Sequence, residues 1–304
     1  MPLTKTDKIW LNGKLVDWDK AQVHILTHAL HYGSGVFEGI RCYKTAKGPA
    51  VFRLREHVKR LFESARLYYM DIPYKPRDIE EAIKSLIRVN KIDACYIRPI
   101  AYRGYGEMGL NPLKSPVEVA VAVWPWGTYL GEDGIKNGIR VMTSSIERFN
   151  SNVVPTRAKA TGQYINSILA KVQCLKAGYD EALMLDCRGM ISEGPGENIF
   201  IVKDGVLYTP PEHASILLGI TRASVMEMAS DLGYRVVEAD IERGMLYGAD
   251  EAFFTGTAAE VTPIREVDGH VIGKPGPITK AIQAKFFSIV AGKEPKYGKW
   301  LAYA

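Results

Sequence analysis

The chain has 304 residues with a formal net charge of +5, and 47% of its residues are hydrophobic. These values are typical of an ordered globular protein with one large domain or two smaller ones, and they exclude a disordered tail protein. No apolar run is long enough to span a bilayer, and the polar N-terminal segment MPLTKTDKIW lacks the apolar core of a signal peptide. We therefore expect a cytoplasmic protein without a membrane partner.

Charge and cysteine patterns exclude two further classes of protein. The densest basic cluster lies in residues 53–63, but Glu56 and Glu63 interrupt it. This pattern is typical of a solvated helix face rather than a nucleic-acid-binding surface. The four cysteines are widely spaced and form no Cys-x-x-Cys pair, so the sequence predicts neither a disulfide framework nor a thiolate zinc site.

The N-terminal half predicts β strands around two amphipathic helices. Asn12-Gly13 separates two short apolar runs, which is a hairpin signal, and strand-like runs occupy 94–102 and 117–123. Apolar residues recur at helical spacing from about residue 55 onward and again over 77–90. The apolar positions are Val58, Leu61, Phe62, Ala65 and Tyr69 in the first helix, and Ile79, Ala82, Ile83, Leu86 and Ile87 in the second.

The segment 124–134, WPWGTYLGEDG, is rich in aromatic residues and glycine. We interpret it as an interdomain linker that adds aromatic surface to a cleft. Beyond it, the pattern predicts a helix over 163–176 with one apolar face. That face consists of Ile165, Ile168, Leu169, Val172 and Leu175. The remaining predicted elements are strands at 139–144, 181–186, 197–202, 234–239 and 251–255, and helices at 221–232 and 277–291.

Helices and strands do not alternate regularly through the chain, which indicates mixed α and β structure rather than a continuous β-α-β fold. We divide the chain into a small N-terminal α/β domain (1–123), the linker (124–134) and a larger C-terminal domain (135–304).

Two motif matches are unconvincing in their context. The segment 104–109, GYGEMG, matches G-x-G-x-x-G, but the proline-containing LNPLKSP follows where a dinucleotide-binding fold needs a helix. His24, His28 and His31 have helical spacing, but no carboxylate lies among them. We expect a loop at the first match, and histidines that pack or hydrogen-bond in a turn rather than bind a metal at the second.

The segment 156–164, TRAKATGQY, places Lys159 between two alanines directly before a predicted helix. Desolvation of such a lysine would disfavour the ammonium form and lower its pKa, giving the free amine that a Schiff base requires. A surface lysine is the alternative, because the chain holds 39 basic residues.

Three other segments combine polar groups with turns. Glu193 and Glu197 lie in SEGPGEN (192–198), which is either a solvated turn or part of a site. GITR (219–222) runs from a loop into a helix, whose first N–H groups and threonine hydroxyl can bind an anion. TGTAAE (255–260) is a hydroxyl-rich turn at the end of a strand, with a purely structural strand end as the alternative.

Together these segments match the chemical requirements of pyridoxal 5′-phosphate. That cofactor needs a lysine for the imine, an acid at the ring nitrogen, a donor to the phenolic oxygen, and N–H-rich turns with an arginine for the phosphate. The chain offers a candidate for each.

The chain also resembles the branched-chain-amino-acid aminotransferases of fold type IV, whose fold is D-amino-acid-aminotransferase-like. Motifs occur in the expected order over nearly the whole chain, namely HALHYGSGVFEGIRCY, EHVKRL, YIRP, AKATGQY, SEGPGEN, GITR and TGTAAE. The resemblance implies an α+β fold of two domains with the active site at their interface. It also implies pyridoxal 5′-phosphate as the cofactor, bound by the larger C-terminal domain.

The resemblance implies roles for individual residues around the cofactor. Lys159 would form the Schiff base and move a proton between substrate Cα and cofactor C4′. Glu193 would pair with the pyridine nitrogen, and Tyr164 would donate to the phenolic oxygen with Glu197 behind it. The phosphate would be bound by Arg60, the backbone of Ile220 and Thr221, and the hydroxyls of Thr221 and Thr257.

On the substrate side, the backbone of Thr257 and Ala258 and the Tyr96 hydroxyl would bind the α-carboxylate. Arg98 would pair with the distal carboxylate of glutamate at the edge of an apolar pocket. That pocket would be lined by Tyr32, Phe37, Met108, Trp126 and Tyr129. Core packing of Phe37 and Met108 and a structural ion pair of Arg98 are the alternatives.

Two departures from the family pattern limit this transfer of roles. Pro195 stands where a small residue is common, which would stiffen the glycine-rich loop. The segment 103–107 adds charge and bulk near the expected substrate position, which leaves tolerance for aromatic amino acids open. In the family this loop reaches toward the partner's active site, so we expect a homodimer or a trimer of dimers, with Tyr32 and the 103–110 loop completing the neighbour's pocket.

The implied reaction is a ping-pong transamination in which L-leucine, L-isoleucine or L-valine donates its amino group to 2-oxoglutarate, which leaves as glutamate. Two alternatives remain open. One is another enzyme of the same fold: a D-amino-acid transaminase, an amine transaminase or an aminodeoxychorismate lyase. The other is a ligand-binding homologue without catalysis.

Overall fold

The contacts of the chain define two units whose bounds differ from the predicted domains. The computed structural model describes residues 3–127 and 129–304, so residues 1, 2 and 128 of the predicted first domain and linker lie outside the described residues. Unit 1 consists of Met1–Trp126, Ala158–Gln163 and Ser288–Ala304. Unit 2 consists of Gly127–Arg157 and Tyr164–Phe287.

Two segments of the predicted C-terminal domain therefore belong to unit 1, and backbone pairing explains why. Phe37 N donates to Lys159 O at 2.9 Å, which ties the lysine segment to an N-terminal strand. The C-terminal residues pair with Ala50–Phe52 in an antiparallel register. Sequence proximity does not reveal such long-range pairing, so a division into two continuous intervals misses it.

The described part of unit 1, from residue 3 onward, contains one antiparallel sheet and three complete α-helices. Its strands are β1 Lys8–Leu11, β2 Lys14–Asp17, β3 Gly35–Phe37, β4 Ile40–Thr45, β5 Gly48–Phe52, β6 Cys95–Arg103, β7 Val117–Trp124 and, at the C-terminus, β17 Leu301–Tyr303. Its helices are α1 His28–Tyr32, α2 Leu54–Leu67 and α3 Pro76–Val89. The strand order is β17-β5-β4-β6-β7-β1-β2, with β3 paired to β6.

The predicted hairpin and both predicted helices of unit 1 are confirmed, except that Tyr69, predicted on the apolar face of the first helix, lies beyond the end of α2 and is 82% exposed. β1 and β2 are joined by Asn12 and Gly13, both with positive φ (47° and 86°), as the tight hairpin turn requires. The apolar face of α3 is fully buried, because Ile79, Ile83 and Leu86 have no exposed surface. α2 and α3 pack their apolar faces into one core with the sheet.

Unit 2, apart from residue 128, contains a mixed sheet and five α-helices. Its strands are β8 Ile139–Thr143, β9 Glu181–Leu185, β10 Ile191–Glu193, β11 Asn198–Lys203, β12 Val206–Thr209, β13 Val236–Glu238, β14 Glu251–Gly256, β15 Glu260–Val267 and β16 His270–Val271. Its helices are α4 Gly131–Asn137, α5 Tyr164–Lys176, α6 Ile220–Asp231, α7 Arg243–Tyr247 and α8 Pro277–Val290, the last three residues of which count to unit 1. The strand order is β10-β9-β8-β15-β14-β11-β12-β13, with β16 paired to β15.

Two features of unit 2 differ from the sequence-based expectation. The segment predicted as a linker contains the start of α4, so it is not irregular throughout. The apolar face of α5 is exposed, whereas the small side chains of Ser167, Ala170 and Cys174 face the interior. An apolar helix face ordinarily packs against the core of its own chain, so the exposure of this face calls for an explanation.

Within the described residues 3–127 and 129–304, no helix is both long and apolar enough to cross a membrane. No His/Cys/Asp/Glu group within them is placed to hold a metal ion. The four cysteines are free thiols. Of the three histidines considered above, His28 is buried and hydrogen-bonds Ser34 Oγ (2.7 Å) and Gly109 O (2.8 Å).

Candidate active site

Lys159 lies in a backbone segment of unit 1 that is held on both sides. Its N–H donates to Ser64 Oγ (3.0 Å), and its C=O accepts from Phe37 N (2.9 Å). The flanking Ala158 and Ala160 are buried, while Lys159 itself is half-buried. Its Nζ lies 5.1 Å from the Phe37 ring centroid. A fixed backbone and an apolar neighbour restrict where the amine can reach.

Arg60, the predicted phosphate-binding arginine, is held by a buried carboxylate that the sequence analysis did not select. Its Nε and Nη2 donate to the two oxygens of Glu38 at 2.6 and 2.9 Å. Glu38 is fully buried and also accepts from His57 Nδ1 at 2.7 Å. The guanidinium therefore has one orientation, because the fork of Arg60 matches both carboxylate oxygens.

The Glu38 carboxylate stays ionised despite its burial. Burial alone would raise the pKa of the Glu38 carboxyl, but the Arg60 charge and the hydrogen bonds from His57 and Arg60 lower that pKa to about 2. Burial lowers the pKa of His57, against the opposing effect of Glu38. Glu38 is therefore an acceptor at neutral pH.

Arg98 lies among aromatic side chains of unit 1. Its Nη2 donates to the Tyr96 hydroxyl at 3.0 Å, and its guanidinium lies 4.6 Å from the Phe37 ring centroid. Tyr96 in turn packs against Trp126 with ring centroids 4.3 Å apart. Arg98 Nε is buried and makes no hydrogen bond to the described residues. Four of the predicted substrate-binding residues thus contact one another.

A glycine makes the position of Tyr96 possible. A Cβ at Gly39 would lie 2.0 Å from the Tyr96 hydroxyl oxygen. Any side chain there would displace the tyrosine that holds Arg98.

Three predicted pocket-lining residues lie at the surface of the chain. Tyr32, Met108 and Tyr129 are 44%, 45% and 39% exposed. Tyr32 packs on His28, and the loop that carries Met108 is bonded to the same histidine through Gly109 O. Tyr129 belongs to unit 2, where Lys171 Nζ lies 5.6 Å from its ring.

Glu193, the predicted partner of the pyridine nitrogen, is a buried carboxylate of unit 2 with several hydrogen-bond donors. Arg148 Nη2 lies 2.8 Å from Oε1. Oε2 accepts from Asn198 Nδ2 (3.0 Å) and Leu217 N (3.1 Å). These contacts orient the carboxylate, and the arginine compensates its charge.

The predicted phosphate-binding turns lie beside this carboxylate. Asn198 Nδ2, which binds Glu193, also donates to Leu217 O at 2.9 Å. A Cβ at Gly219 would lie 1.9 Å from Asn198 Oδ1, so only glycine fits there. A Cβ at Gly256 would lie 3.2 Å from the carbonyl oxygen of Gly196, which places the turn before Thr257 and Ala258 against the 193–197 loop.

α6 begins at Ile220, directly after Gly219. The first N–H groups of a helix have no partner within the helix, so those of Ile220 and Thr221 can bind an anion. Thr221 is buried, and Ile220 and Thr257 are half-buried. Arg222 is committed elsewhere, since it donates to Pro210 O (2.9 Å) and pairs with Glu238.

Glu197 has the opposite electrostatic environment from Glu38. Burial, and next the negative charge of Glu181, raise the pKa of Glu197 to about 8, although the N–H of Gly196 lies 3.0 Å from Oε2. Glu181 is itself fully buried and pairs with Lys171 Nζ at 2.7 Å, and burial raises its pKa. Glu197 therefore holds its proton at neutral pH.

Residues 35–267 of the chain match the family model described as amino-transferase class IV. The chain belongs to this aminotransferase family. Individual relatives give a more specific match than the family model does. The chain is 50% identical over 294 residues to the branched-chain-amino-acid aminotransferase of Pseudomonas aeruginosa, covering 96% of this chain and 95% of that protein.

Solved structures of class IV aminotransferases share the fold. The Escherichia coli branched-chain amino acid aminotransferase matches with a TM-score of 0.96 at 48% identity, covering 98% of this chain and 99% of that one. The T.th. branched-chain amino acid aminotransferase with pyridoxamine 5′-phosphate matches with a TM-score of 0.95 at 50% identity and the same coverage. The predicted family, the α+β fold of type IV and branched-chain-amino-acid aminotransferase activity are confirmed.

Sequence reasoning missed the residues that position the predicted aminotransferase site. Glu38 and Asn198 lie inside quoted family motifs, VFEGIR and SEGPGEN, which is the one signal that could have found them. His57, Arg148 and Glu181 gave no signal, because a charged residue in a mixed sequence is indistinguishable from a surface residue until its partner is known.

Proposed function

We propose that the chain binds pyridoxal 5′-phosphate and transfers the amino group of L-leucine, L-isoleucine or L-valine to 2-oxoglutarate by a ping-pong mechanism. The observation that carries the proposal is the half-buried Lys159, fixed through its backbone to Ser64 and Phe37. In an aminotransferase, this is the environment that a covalent cofactor lysine needs.

The residues of the chain fit this cofactor. When bound, pyridoxal phosphate supplies an electron-poor ring that accepts the electron pair left on substrate Cα after its proton is removed. Glu193 accepts the pyridine N–H, because it is a buried carboxylate held by Arg148 and Asn198. Tyr164, the first residue of α5, donates to the phenolic oxygen, with the protonated Glu197 behind it.

The phosphate of the cofactor is proposed to bind to backbone N–H groups, hydroxyls and one cationic side chain. Ile220 and Thr221 offer the first N–H groups of α6 and a hydroxyl, and Thr257 offers a second hydroxyl. Arg60 adds a guanidinium that Glu38 orients. These donors suit a dianion better than a carboxylate, which has fewer acceptor oxygens.

Lys159 also acts in proton transfer. It takes the proton from substrate Cα and delivers it to C4′ of the cofactor, so one amine serves first as general base and then as general acid. The fixed Lys159 backbone anchors the amine, so that one side chain can serve both carbons.

Substrate selection requires one pocket for apolar and acidic side chains. Tyr96 accepts a hydrogen bond from Arg98, so its own hydroxyl proton is directed toward the substrate α-carboxylate, together with the backbone of Thr257 and Ala258. The buried Nε of Arg98 offers a donor to the distal carboxylate of glutamate. Phe37 and Trp126 supply apolar surface beside it, and Tyr32, Met108 and Tyr129 are proposed to complete it.

The complexes of a relative support this dual specificity. The T.th. aminotransferase forms complexes with N-(5′-phosphopyridoxyl)-L-glutamate and with 4-methylvaleric acid. One of these ligands has an acidic side chain, and the other is apolar and branched. We propose the same pair of substrate classes for this chain, in a cytoplasmic homo-oligomer without a nucleic-acid or membrane partner.

A donor–acceptor matrix tests the function. The purified protein with pyridoxal phosphate is assayed with L-leucine, L-isoleucine, L-valine, D-alanine and a chiral amine as donors and with 2-oxoglutarate as acceptor. We expect turnover with the three branched donors and little with the other two. A preference for D-alanine or the amine would assign a different reaction within the family, and no turnover with any donor would contradict catalysis.

Substituting Arg98 tests the substrate assignment. Loss of a charge-assisted hydrogen bond costs about 1.5–3 kcal/mol, so Arg98→Ala should lower kcat/KM for 2-oxoglutarate by roughly 10- to 100-fold. For 4-methyl-2-oxopentanoate the loss should be several-fold smaller. Arg88→Ala, on the exposed side of α3, is the matched control. Equal losses for both acceptors would make Arg98 a structural residue.

A further inference from the structure

Two motif matches that the proposed reaction does not use contact each other in unit 1. They are the three-histidine segment, residues 24–31, and the glycine-containing loop, residues 104–109. The rings of His24 and Tyr105 have centroids 4.4 Å apart, and Thr27 forms an isolated antiparallel bridge with the same tyrosine. The histidine segment therefore lies directly against the first residues of the glycine-containing loop.

His28 is bonded to both ends of this loop. Its backbone N–H donates to Gly104 O at 3.1 Å, and its ring Nε2 lies 2.8 Å from Gly109 O. Because a carbonyl oxygen only accepts hydrogen bonds, Nε2 carries a proton and donates it. His28 is 2% exposed, so water does not compete for these bonds.

The other ring nitrogen fixes how the imidazole is turned. Nδ1 lies 2.7 Å from Ser34 Oγ, and Ser34 comes directly before β3. A hydroxyl can donate as well as accept, so both ring nitrogens have a partner. Since a buried polar group without a partner is costly, the two bonds favour a single orientation of the ring.

The same imidazole connects two residues assigned to the substrate pocket. Its ring centroid lies 4.6 Å from that of Tyr32, which is further along α1. Met108 directly precedes Gly109, the residue that accepts from Nε2. Tyr32 and Met108 are both exposed, so burial of their own side chains does not fix them. His28 therefore links two pocket residues that belong to separate segments of the chain.

We propose that His28 is a positioning residue that sets the selectivity of the site for large apolar side chains. The inference rests on the proposed function, in which Tyr32 and Met108 line the pocket for the donor side chain. By bonding Gly109 O and packing on Tyr32, the imidazole holds the two walls at a fixed separation. Its effect on substrates passes through these two residues.

The expected consequence is a change in the preference between donors. A displaced pocket wall loses contact with a long branched side chain, whereas a short side chain does not reach that wall. One methylene group in contact with a pocket changes kcat/KM by about 10- to 200-fold. Loosening the wall should therefore affect L-leucine much more than L-2-aminobutyrate. The effect should lie mainly in KM, because the chemistry at Lys159 is unchanged.

Two conservative variants separate the two bonds of the ring. The amide of His28→Gln reaches about as far as Nε2 and can still donate to Gly109 O, whereas the amide of His28→Asn reaches only as far as Nδ1. In the protein with pyridoxal phosphate, His28→Asn should raise KM for L-leucine about 10-fold and lower the leucine-to-2-aminobutyrate ratio of kcat/KM by a similar factor. His28→Gln should restore most of that ratio. His31→Asn, at an exposed histidine of the same helix, is the matched control and should leave the ratio unchanged.

Limited proteolysis of the same protein tests the contact with the loop without reference to the reaction. Chymotrypsin should cleave after the exposed Tyr105 or Leu110 several-fold faster in His28→Asn than in the wild type, because a released loop opens more often. His28→Gln should be cleaved at about the wild-type rate. Ser34→Ala removes the hydroxyl that orients the ring and should shift both measurements in the same direction, so the proposal is testable even where His28→Asn does not fold.

Each outcome decides the proposal. A lower leucine ratio and faster loop cleavage in His28→Asn, both reversed in His28→Gln, support it. Unchanged cleavage would show that His28 does not hold the loop. Faster cleavage with an unchanged ratio, or an equal change of the ratio in His31→Asn, would overturn the role in selectivity. A wild-type protein that turns over no donor would overturn the proposed function and with it the selectivity, while the cleavage result for the loop would stand.

Discussion

Two fully buried carboxyl groups, Glu38 in unit 1 and Glu197 in unit 2, have opposite pKa shifts. Burial raises the pKa of both, but Arg60 and His57 more than compensate at Glu38, where the pKa falls to about 2. At Glu197 the neighbouring Glu181 adds to the effect of burial, and the pKa rises to about 8. Neighbouring charges and hydrogen bonds, rather than the depth of burial, decide whether a buried acid is charged.

The difference separates two tasks in one enzyme. Glu38 is a permanent anion that fixes the guanidinium of Arg60, the residue assigned to the phosphate. Glu197 keeps a proton at neutral pH, so in the proposed site it can donate a hydrogen bond toward Tyr164. Glu193 is as buried as Glu197 and pairs with the cation of Arg148.

The largest effect on stability is expected from removing the buried Glu38 anion of unit 1. Glu38→Ala leaves Arg60 uncompensated and should lower the free energy of unfolding by about 3–5 kcal/mol. Urea denaturation measures this change. Glu63→Ala on α2, which removes an exposed pair with Lys59, is the control and should change the free energy by less than about 1 kcal/mol. Equal losses of unfolding free energy in Glu38→Ala and Glu63→Ala would show that the buried Glu38 anion stabilises unit 1 no more than an exposed carboxylate does.

The pH dependence of stability should have two limbs. The pKa of Glu38 is below its ordinary value of about 4.3, so its contribution of about 3 kcal/mol is present above about pH 4 and lost as pH falls toward 2. The pKa of Glu197 is raised, so the folded state binds the proton more tightly. Its contribution is full below about pH 4 and is lost as pH rises through about 8.

Unfolding free energies at about pH 3, 5 and 8.5 separate the two limbs. Relative to wild type, Glu197→Gln should flatten the alkaline limb and leave the acid limb intact. An unchanged alkaline limb would show that Glu197 does not titrate there.

Removing the cation beside Glu193 should leave a buried carboxylate without charge compensation. Arg148→Met removes the cationic partner of Glu193, while the neutral donors Asn198 Nδ2 and Leu217 N remain, so we expect a loss of about 2–3 kcal/mol in unfolding free energy. The affinity for pyridoxal phosphate should fall about 10-fold or more, as measured by equilibrium dialysis. Arg148→Lys should restore part of it. An unchanged affinity for pyridoxal phosphate in Arg148→Met would show that Arg148 has no role in binding the cofactor.

The smallest effect is expected at the protonated acid. At about pH 3 the Glu197 carboxyl is neutral in both the folded and the unfolded state. Glu197→Gln then replaces it by a neutral amide of the same shape, so at that pH it should change the unfolding free energy by less than about 1 kcal/mol. Denaturation at that pH measures it. A loss as large as that expected for Glu38→Ala would mean that the carboxyl makes contacts that an amide cannot replace.

The helices of unit 1 were predictable because their own side chains contain the information. Ile79, Ile83 and Leu86 recur at helical spacing, and the sheet of the same unit covers them. α5 shows the limit of this reasoning. The pattern revealed which face is apolar, from Ile165 to Leu175, but periodicity carries no information about what covers that face.

The sequence offers candidate site residues where chemistry depends on one residue in a motif. Lys159, Glu193 and Thr221 were selected in this way and stay predictions. The partners that set their orientation or charge were not, because the Arg60–Glu38 and Glu193–Arg148 pairs join residues 22 or more positions apart. The same applies to the domain bounds, which depend on pairing between Phe37 and Lys159.

The central claim is that the amine of Lys159 holds the cofactor covalently. The protein is incubated with pyridoxal phosphate, reduced with borohydride and digested, and the modified peptide is located by mass spectrometry. The account predicts a phosphopyridoxyl group on Lys159 in the wild-type protein and none in Lys159→Ala, with the exposed Lys91→Ala retaining it. The modification on a different lysine, or on none, would contradict the account.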